Sequence, residues 1–468
     1  MKGSDLMTDK RYGKALAFIT SLAAAAAFST GCSNNNTADV SVSGSVQSDT
    51  TGSVPENTSE TSAESETSER SETSLSAEPV TYSTYSGGVI ETADIFTDRD
   101  LTQTADTSSS KSISVSDGET IDITEEGVYV ISGTASDCTI RVSADDSAKI
   151  QLVLDGVNIA NSDFPAIYVL SAKKVFITTT DTENSLSVTG AFSADGDTNT
   201  DAVIFSREDL VLNGLGTLNI NSAEGNGITS KDGIKATGGT YSITSAKDSL
   251  EANDLIAVCG GNFTINSQKD GLHAEYDEDD TVGYIYIAGG TFDISASNNG
   301  IRATTVAQID GGTFSISATE GIESTYVQIN GGTIYIESDD DGINGSRKSS
   351  AYDIVVEFNG GDTTINMASG DVDGVDSNGS LYINDGNINI TIPEVGMAEA
   401  FDFDNTAELN GGTVIVNGEE LTEITSKGMG GGGFPGDNGG GFRGGNGGGG
   451  FGGNSDFGGG AFGGEKSA

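Results

Sequence analysis

A short motif recurs between residues 238 and 416: a turn-forming pair, usually two glycines, a polar residue, and then apolar residues two positions apart. The copies are GGTYSI (238–243), GGNFTI (260–265), GGTFDI (289–294), GGTFSI (311–316), GGTIYI (331–336), GGDTTI (360–365), DGNINI (385–390) and GGTVIV (411–416). Successive copies begin 20 to 29 residues apart. A repeat of this length predicts a solenoid in which each copy adds one layer to a shared core.

Each copy carries the alternation of a half-buried β-strand. In GGTFSI, Phe314 and Ile316 fall on one face of the strand, and the polar residues between them fall on the other. A second short run begins 8 to 9 residues after the second glycine of most pairs, and a third run leads back to the next pair. Three short strands per coil predict an all-β, right-handed parallel β-helix. Its predicted inner stack is Tyr241, Phe263, Phe292, Phe314 and Ile334.

Two copies contain about seven extra residues at the same place in the repeat. These insertions lie within 275–287 and 344–356, just before the next glycine pair. Insertions that stack at one corner of a solenoid commonly form its binding face. Tyrosines in these segments could stack on sugar rings. The predicted carbohydrate contacts there are Tyr276, Tyr284, Tyr286 and Tyr352.

The charge balance restricts the possible partners. The chain has 22 basic and 70 acidic residues and a formal net charge of −48. Nucleic acid and anionic membrane surfaces are excluded as direct partners, because their phosphates require basic patches. Cations are the expected partners.

Both ends of the chain differ from the repeat. Residues 1–31 resemble a bacterial lipoprotein signal with Cys32 as the lipidated residue; a plainly secreted product is the alternative. Residues 32–92 are predicted to be a disordered Ser/Thr/Glu-rich tether, 93–427 the β-helix domain, and 428–468 a disordered Gly/Phe-rich tail. These features predict a monomeric lipoprotein on a bacterial cell surface, in contact with the membrane only through its lipid anchor.

Several ordered motifs resemble extracellular carbohydrate-binding domains that adopt a pectate-lyase-like parallel β-helix. The motifs are GVYVISGT (127–134), LVLDGVNI (152–159), SREDLVLNGLGTLNI (206–220) and SKDGIKATGGTYSI (230–243). The resemblance covers residues 112–416 and implies non-catalytic binding of calcium and of plant cell-wall polysaccharides, cellulose and polygalacturonate among them. The chain departs from the pattern at Ser249, where glycine is expected, and at Asn299, where an acid is expected.

Acidic residues recur near the start of the second strand of many coils. If the coils stack in register, carboxylates about 4.8 Å apart repel one another and require cations. Ca²⁺ suits such a column because it takes six to eight oxygen ligands, whereas a single histidine and three cysteines do not favour zinc. The alternative is an ordinary Asp-Gly turn, in which the glycine takes a positive φ. The predicted calcium ligands are Asp232, Asp248, Asp270, Glu320, Asp339, Asp340, Asp341, Asp371, Asp373 and Asp376.

Three functions remain open from the sequence. The leading one is non-catalytic, calcium-dependent binding of an acidic polysaccharide such as polygalacturonate, or of cellulose, with Arg302 as a further sugar contact. A second is a calcium-dependent lyase, which needs a base beside the metal; Arg302 is the candidate. A third is a structural surface adhesin without glycan specificity. The NTD at 199–201 lacks the other motifs of a polygalacturonase-type hydrolase.

Overall fold

The computed structural model describes residues 78–369, 372–393 and 398–425. These residues form a parallel β-solenoid of about 11 turns, which confirms the all-β class and the repeat architecture. The predicted signal peptide, Cys32, most of the predicted tether and the whole of the predicted tail lie outside the described residues. No helix within the described ranges is long and apolar enough to cross a membrane.

The described elements follow one another along the chain. In order they are α1 (Asp98–Leu101), β1 (Lys111–Ser114), β2 (Thr120–Ile123), β3 (Gly127–Ser136), β4 (Thr139–Ser143), β5 (Lys149–Asn161), β6 (Ile167–Ser171), β7 (Lys174–Thr179), β8 (Glu183–Val188), β9 (Ala202–Ser206), β10 (Leu210–Gly214), β11 (Thr217–Ser222), β12 (Asn226–Ser230), β13 (Gly233–Ser245), β14 (Leu250–Ala252), β15 (Leu255–Ser267), β16 (Leu272–Ala274), β17 (Tyr284–Ile287), β18 (Thr291–Ala296), β19 (Asn299–Ala303), β20 (Val306–Ile309), β21 (Thr313–Ala318), β22 (Glu320–Ser324), β23 (Tyr326–Ile329), β24 (Thr333–Ser338), β25 (Ile343–Gly345), β26 (Val355–Met367), β27 (Asp373–Ser377), β28 (Ser380–Thr391), β29 (Glu399–Phe403), β30 (Ala407–Leu409), β31 (Thr413–Val416) and β32 (Glu419–Glu420).

Each coil contributes to two sheets. Sheet B has 12 strands, in the order β2-β4-β6-β9-β12-β14-β16-β19-β22-β25-β27-β29, and every neighbouring pair is parallel. Sheet A has 20 strands and contains the segments before and after each glycine pair. In β13, β15, β26 and β28 the two segments form one long strand that passes through the turn-forming pair, which is Asp385-Gly386 in β28 and two glycines in the others. The three strand positions per coil predicted from the sequence are therefore present.

The glycine pair allows sheet A to bend between its two segments. At Gly312 φ is +109°, a conformation that only glycine adopts without strain, and a Cβ there would lie 3.0 Å from the Phe314 ring. The following strand β21 alternates exposed and buried residues, as predicted. Glycine therefore sets both the bend and the space for the aromatic core beneath it.

The aromatic stack predicted inside the solenoid is also present. Ring centroids are 4.9 Å apart for Tyr241 and Phe263, 4.9 Å for Phe263 and Phe292, and 4.8 Å for Phe292 and Phe314. The spacing equals the distance between parallel strands, so the rings stack because the coils do. Ile334 follows Phe314 in the same register and is buried.

Residues 78–103, the N-terminal strap, lie against the outer face of sheet A. Tyr82 and Phe96 belong to an apolar cluster with Tyr286, and the Ile90 N–H donates to Gln308 Oε1 at 2.8 Å. In α1 the fully buried Asp100 pairs with Lys174 at 3.1 Å. Residues 78–92, assigned to the tether from composition, thus pack on the solenoid because Val80, Tyr82 and Ile90 are apolar.

Candidate functional site

A column of oxygen-bearing side chains runs along sheet B, one near the start of each strand from β12 to β29. Register pairs Asn299 with Glu320, and Asp373 with Glu399. Neighbouring pairs of the same ladder place the other members in line with them. This acidic column, which contains five of the predicted metal ligands in stacked positions, consists of Asn226, Asp248, Asp270, Asn299, Glu320, Asp341, Asp373 and Glu399.

The column also has a structural role, which the sequence pattern does not reveal. The Asp270 N–H donates to Asp248 Oδ1 at 3.0 Å, and the Asn299 N–H donates to Asp270 Oδ1 at 3.0 Å. The Asp373 N–H donates to Asp341 Oδ1 at 3.3 Å in the same way. A carboxylate or amide at this position thus satisfies a backbone donor of the next coil. One carboxylate oxygen is used, and the other is left for a further partner.

The glycine that follows the acidic residue is not a turn glycine. Positive φ is found at the paired glycines but not at Gly271, Gly321 or Gly342. A Cβ on Gly321 would lie 2.4 Å from the Gly342 carbonyl oxygen and 2.6 Å from Ile336 Cγ2. The explanation of these sites as ordinary Asp-Gly turns is therefore wrong, because close packing of successive coils requires the glycine.

A second column lies three residues further along the same strands. Register pairs His273 with Arg302, and Arg302 with Glu323. The second column consists of Thr229, Glu251, His273, Arg302, Glu323, Asn344, Asp376 and Asp402. Arg302 and Asp376 were predicted as site residues, but the column itself was not predicted. In the sequence, five members of this column appear as the fourth residue of the segments DGLH, NGIR, EGIE, DGIN and DGVD.

Around His273 the two columns contain balancing cations. Lys269 Nζ lies 2.8 Å from Asp248 Oδ2, His273 Nδ1 lies 3.2 Å from the same oxygen, and His273 Nε2 lies 2.9 Å from Glu275 Oε2. Burial alone would lower the pKa of His273, but its hydrogen bonds to Asp248 and Glu275 raise the pKa to about 9. Burial would raise the pKa of Asp248, and the hydrogen bonds from His273 and Lys269 lower it to about 2. The imidazole is therefore protonated at neutral pH.

Arg302 is held among carboxylates in the same region. Its guanidinium lies 3.5 Å from Glu275 and 3.5 Å from Glu323. Lys348, from the second insertion, lies 2.6 Å from the other Glu323 oxygen. Arg302 therefore neutralises neighbouring acids, which limits what it can offer to a sugar or to a reacting proton.

Asp248, Asp270 and His273 bring their ligand atoms within 4.8 Å of one another, the one such trio among the described residues. Asp270 is fully buried, and its Oδ2 accepts no hydrogen bond. The same oxygen nevertheless faces three cationic groups: His273 at 3.5 Å, Lys269 at 3.7 Å and Arg302 at 3.8 Å. The negative charge of the trio is already neutralised by side chains, so the trio does not require a metal ion.

Asp341 and Asp376 lie further along the two columns. In the described part of the chain, the ion pairs do not include Asp341 or Asp376. Burial, followed by the charges of Asp376 and Asp340, raises the pKa of Asp341 to about 8. Burial and the charge of Asp373 raise the pKa of Asp376 to about 7. These carboxylates lack the compensation that Asp248 has.

Asn344 lies between these acids in the second column. Its Nδ2 donates to Asp341 Oδ2 at 3.0 Å, and register pairs it with Asp376. The Asn344 side chain is 9% exposed, and its Oδ1 accepts no hydrogen bond. We call Asp341, Asn344 and Asp376 the carboxylate–amide cluster. It combines two poorly compensated acids with a buried amide oxygen that has no donor.

The other predicted ligands occupy different surroundings. Burial, and then the charges of Glu323 and Asp340, raise the pKa of Glu320 to about 7. Asp339 and Asp340 are exposed and precede Asp341 in the chain. Asp371 lies outside the described residues.

The prediction that Asp232 belongs to the same column is wrong. Asp232 follows the sheet B strand β12, whereas Asp248 precedes β14, so the two lie at opposite ends of their strands. Burial, followed by the charges of Asp209 and Asp254, raises the pKa of Asp232 to about 7. Asp232 therefore belongs to a separate acidic group at the other corner. Its distance in sequence from the glycine pair could have distinguished it from the members of the acidic column.

The insertions meet at one corner, as predicted, but their tyrosines differ. Tyr284 and Tyr352 pack edge to face with ring centroids 6.4 Å apart, and the Ser350 N–H donates to Asp280 Oδ2 at 2.9 Å. Tyr276 and Tyr284 are half-buried. Tyr286 is fully buried beneath the N-terminal strap, so its assignment as a sugar contact is wrong.

The carbohydrate-binding domain-containing protein family has a model that matches residues 117–374, more than half of the chain. The chain belongs to this carbohydrate-binding domain family. A family protein from Acetivibrio thermocellus (strain ATCC 27405) is 38% identical over 208 residues, which cover 44% of this chain and 72% of that protein. Among solved structures, a polysaccharide lyase-like protein from C. thermocellum, studied as a gadolinium derivative, covers 64% of this chain and 98% of its own, with 24% identity and a TM-score of 0.37.

The family match includes most of the two columns. It contains the acidic column from Asn226 to Asp373, and it ends just before Asp376. The family description names carbohydrate binding and no reaction.

Proposed function

We propose that this protein binds an acidic cell-wall polysaccharide, such as polygalacturonate, in a calcium-dependent way and does not cleave it. The observation that carries the proposal is the carboxylate–amide cluster, where a buried amide oxygen without a donor lies beside acids of raised pKa. Ca²⁺ accepts carboxylate and amide oxygens in irregular arrangements. The donor set therefore fits calcium better than a softer metal.

Asp341, Asn344 and Asp376 would hold the ion. When bound, Ca²⁺ supplies positive charge and an open coordination position for an oxygen of a uronate. The protein carries a net charge of −48, so direct attraction to a polyuronate is unfavourable without such an ion. The same residues thus account for both the metal requirement and the preference for an acidic glycan.

The surroundings of the basic residues support binding without cleavage. A lyase requires a base that can accept a proton. Arg302 and Lys269 are each paired with carboxylates. Burial alone would lower the pKa of Lys269, but the hydrogen bond to Asp248 raises it, which keeps the amine protonated. Neither residue is suited to act as a base.

Retention on immobilised polygalacturonate tests the proposal. The protein should be retained in Ca²⁺ and released by EDTA, and Asp341→Asn with Asp376→Asn should abolish retention. Asp293→Asn removes an exposed carboxylate from strand β18 on another face and is the matched control. Retention that persists in EDTA contradicts calcium dependence. Unsaturated product formed from polygalacturonate, and lost in Arg302→Ala, would make the protein a lyase.

The surface location is a separate proposal that rests on the chain's first residues. We infer that the lipidated Cys32 anchors a monomeric protein to a bacterial cell surface, where it meets wall polysaccharide. Cys32→Ala should move the protein from the membrane fraction to the medium. An unchanged membrane fraction would contradict the anchor.

A further inference from the structure

A groove follows the corner where the strands after the glycine pairs end. Its volume is about 640 Å³, and it is lined by residues 295–297, 317–319, 337–339 and 366–368. These segments come from the ends of β18, β21, β24 and β26, which belong to four successive coils. The groove therefore runs along the solenoid axis, across the coils.

The dimensions of the groove follow from the repeat. Four coils include three spacings of about 4.8 Å, so the groove extends about 14 Å along the axis. Its lining includes the small, buried side chains of Ala296, Ala318 and Ser338, with the larger Met367 in the next strand. An extended chain of a few sugar rings matches this length, and hydroxyl groups of Ser297, Ser317 and their neighbours lie along its edge.

An aromatic ring lies at the side of the groove. Tyr335 is 37% exposed, one of three large apolar or aromatic side chains exposed in the described part of the chain. Its neighbours in the adjacent strands are Ser315 and Thr364, which are too small to cover the ring. The Tyr335 hydroxyl donates to Glu337 at 2.5 Å and accepts from Asn366 Nδ2 at 3.0 Å, and both of these residues line the groove. The ring is thus held in place with an open face.

The charges of the groove select against an acidic ligand. Glu337 and Asp339 are its ionisable lining residues, and Lys, Arg and His do not occur in the lining. An anionic polysaccharide would be repelled, whereas neutral sugars can accept hydrogen bonds from Asn366 and donate to Glu337. The chemistry of the groove therefore differs from that of the carboxylate–amide cluster.

We propose that this groove is a second carbohydrate site, which binds a chain of neutral pyranose sugars along the solenoid axis without a metal ion. Tyr335 stacks on a sugar ring, while Glu337 and Asn366 hydrogen-bond its hydroxyl groups. Tyr335 projects from the strand face of sheet A, outside the two columns of sheet B. The proposal rests on carbohydrate being the ligand class, as proposed above, and adds a site with a different specificity.

Affinity electrophoresis of the full chain through gels that contain a soluble β-glucan, xylan or mannan, all in EDTA, tests the proposal. We expect retardation by at least one of these neutral polysaccharides. Tyr335→Ala should weaken the binding about tenfold through loss of stacking, and Ser317→Gln, which places a longer side chain in the groove, should weaken it similarly. Tyr335→Phe keeps the ring and should weaken binding only about two- to threefold.

Asn262→Ala, an outward residue of strand β15 away from the groove, is the matched control and should bind as the wild type does. The lack of retardation by any of the three polysaccharides would overturn the proposal, as would unchanged binding by Tyr335→Ala. If Tyr335→Ala also lost calcium-dependent retention on polygalacturonate, the groove would not be a separate site. If the wild type bound a neutral polysaccharide but not polygalacturonate, the calcium proposal would be refuted and this one would stand.

Discussion

Replacing Asp341 with asparagine should have opposite effects on stability with and without calcium. Burial and the charges of Asp376 and Asp340 raise the pKa of Asp341 to about 8, well above its usual value of 3.8. At about 1.4 kcal/mol per unit, the ionised carboxylate opposes folding by at most about 6 kcal/mol. Asp341 is partly exposed, so screening by solvent reduces this to about 2 kcal/mol.

The substitution also removes a favourable contact. Asp341 accepts hydrogen bonds from the Asp373 N–H and from Asn344 Nδ2. Asparagine has one acceptor oxygen instead of two, and the lost hydrogen bond costs about 1 kcal/mol. In EDTA at pH 8, Asp341→Asn should therefore stabilise the fold by about 1 kcal/mol, which raises the melting temperature by about 2 °C.

The sign of this effect depends on pH. A carboxyl whose folded pKa is raised binds protons more tightly in the native state, so the wild type loses stability as pH rises from about 4 to 8. In EDTA, the stability advantage of Asp341→Asn over the wild type should be absent near pH 5 and should increase up to pH 8. In Ca²⁺ the wild type should be more stable than Asp341→Asn, because only the wild type gains the binding energy of the ion.

Thermal melts monitored by circular dichroism, in EDTA and in Ca²⁺ from pH 5 to 8, measure these differences. Asp293→Asn, which changes the same charge on another face, should shift the melting temperature equally in both conditions. An Asp341→Asn protein that is less stable than the wild type at pH 8 in EDTA would refute the reasoning. A variant with the wild-type response to Ca²⁺ would refute the assignment of Asp341 as a ligand.

Three further predictions concern the fold. The folded pKa of His273, about 9, exceeds its usual value of 6.5. The stability advantage of the wild type over His273→Gln should therefore be complete below pH 6.5 and disappear as pH rises through 9. Thermal melts in Ca²⁺ at several pH values measure this difference. Phe292→Ala should destabilise the stacked core by about 3–5 kcal/mol in urea unfolding, with Asn262→Ala as a neutral control. Lys174→Met leaves Asp100 buried without its cation and should lower the free energy of unfolding by about 3–5 kcal/mol. Adding Asp100→Asn should restore part of that stability. Equal stability of the single and double variants would contradict the pairing.

The solenoid was predictable because its signals are local and repeated. The alternation around Phe314 and the regular glycine pairs specify strand and bend in each coil, and stacking follows from the repeat. The position of the strap was not predictable, because its apolar residues, such as Tyr82 and Ile90, are few and scattered among polar ones. Their partners, such as Tyr286 and Gln308, lie about 200 residues away.

The candidate site was predictable only in part. Acids that share a place in the repeat share a column, so Asp248, Asp270 and Asp341 were placed correctly relative to one another. Which of them are neutralised depends on Lys269 and His273, whose proximity to Asp248 arises between neighbouring coils and is not visible in a linear pattern. The burial of Tyr286 likewise depends on a distant segment.

The location of the calcium ion is the most direct test of the account. Anomalous diffraction from crystals grown with Ca²⁺ and an oligogalacturonate should show an ion about 2.3–2.6 Å from oxygens of Asp341, Asn344 and Asp376, with a uronate oxygen in its coordination shell. An ion bound instead among Asp248, Asp270 and His273, with Lys269 displaced, would contradict the account. So would an oligogalacturonate bound at a position that contains no metal ion.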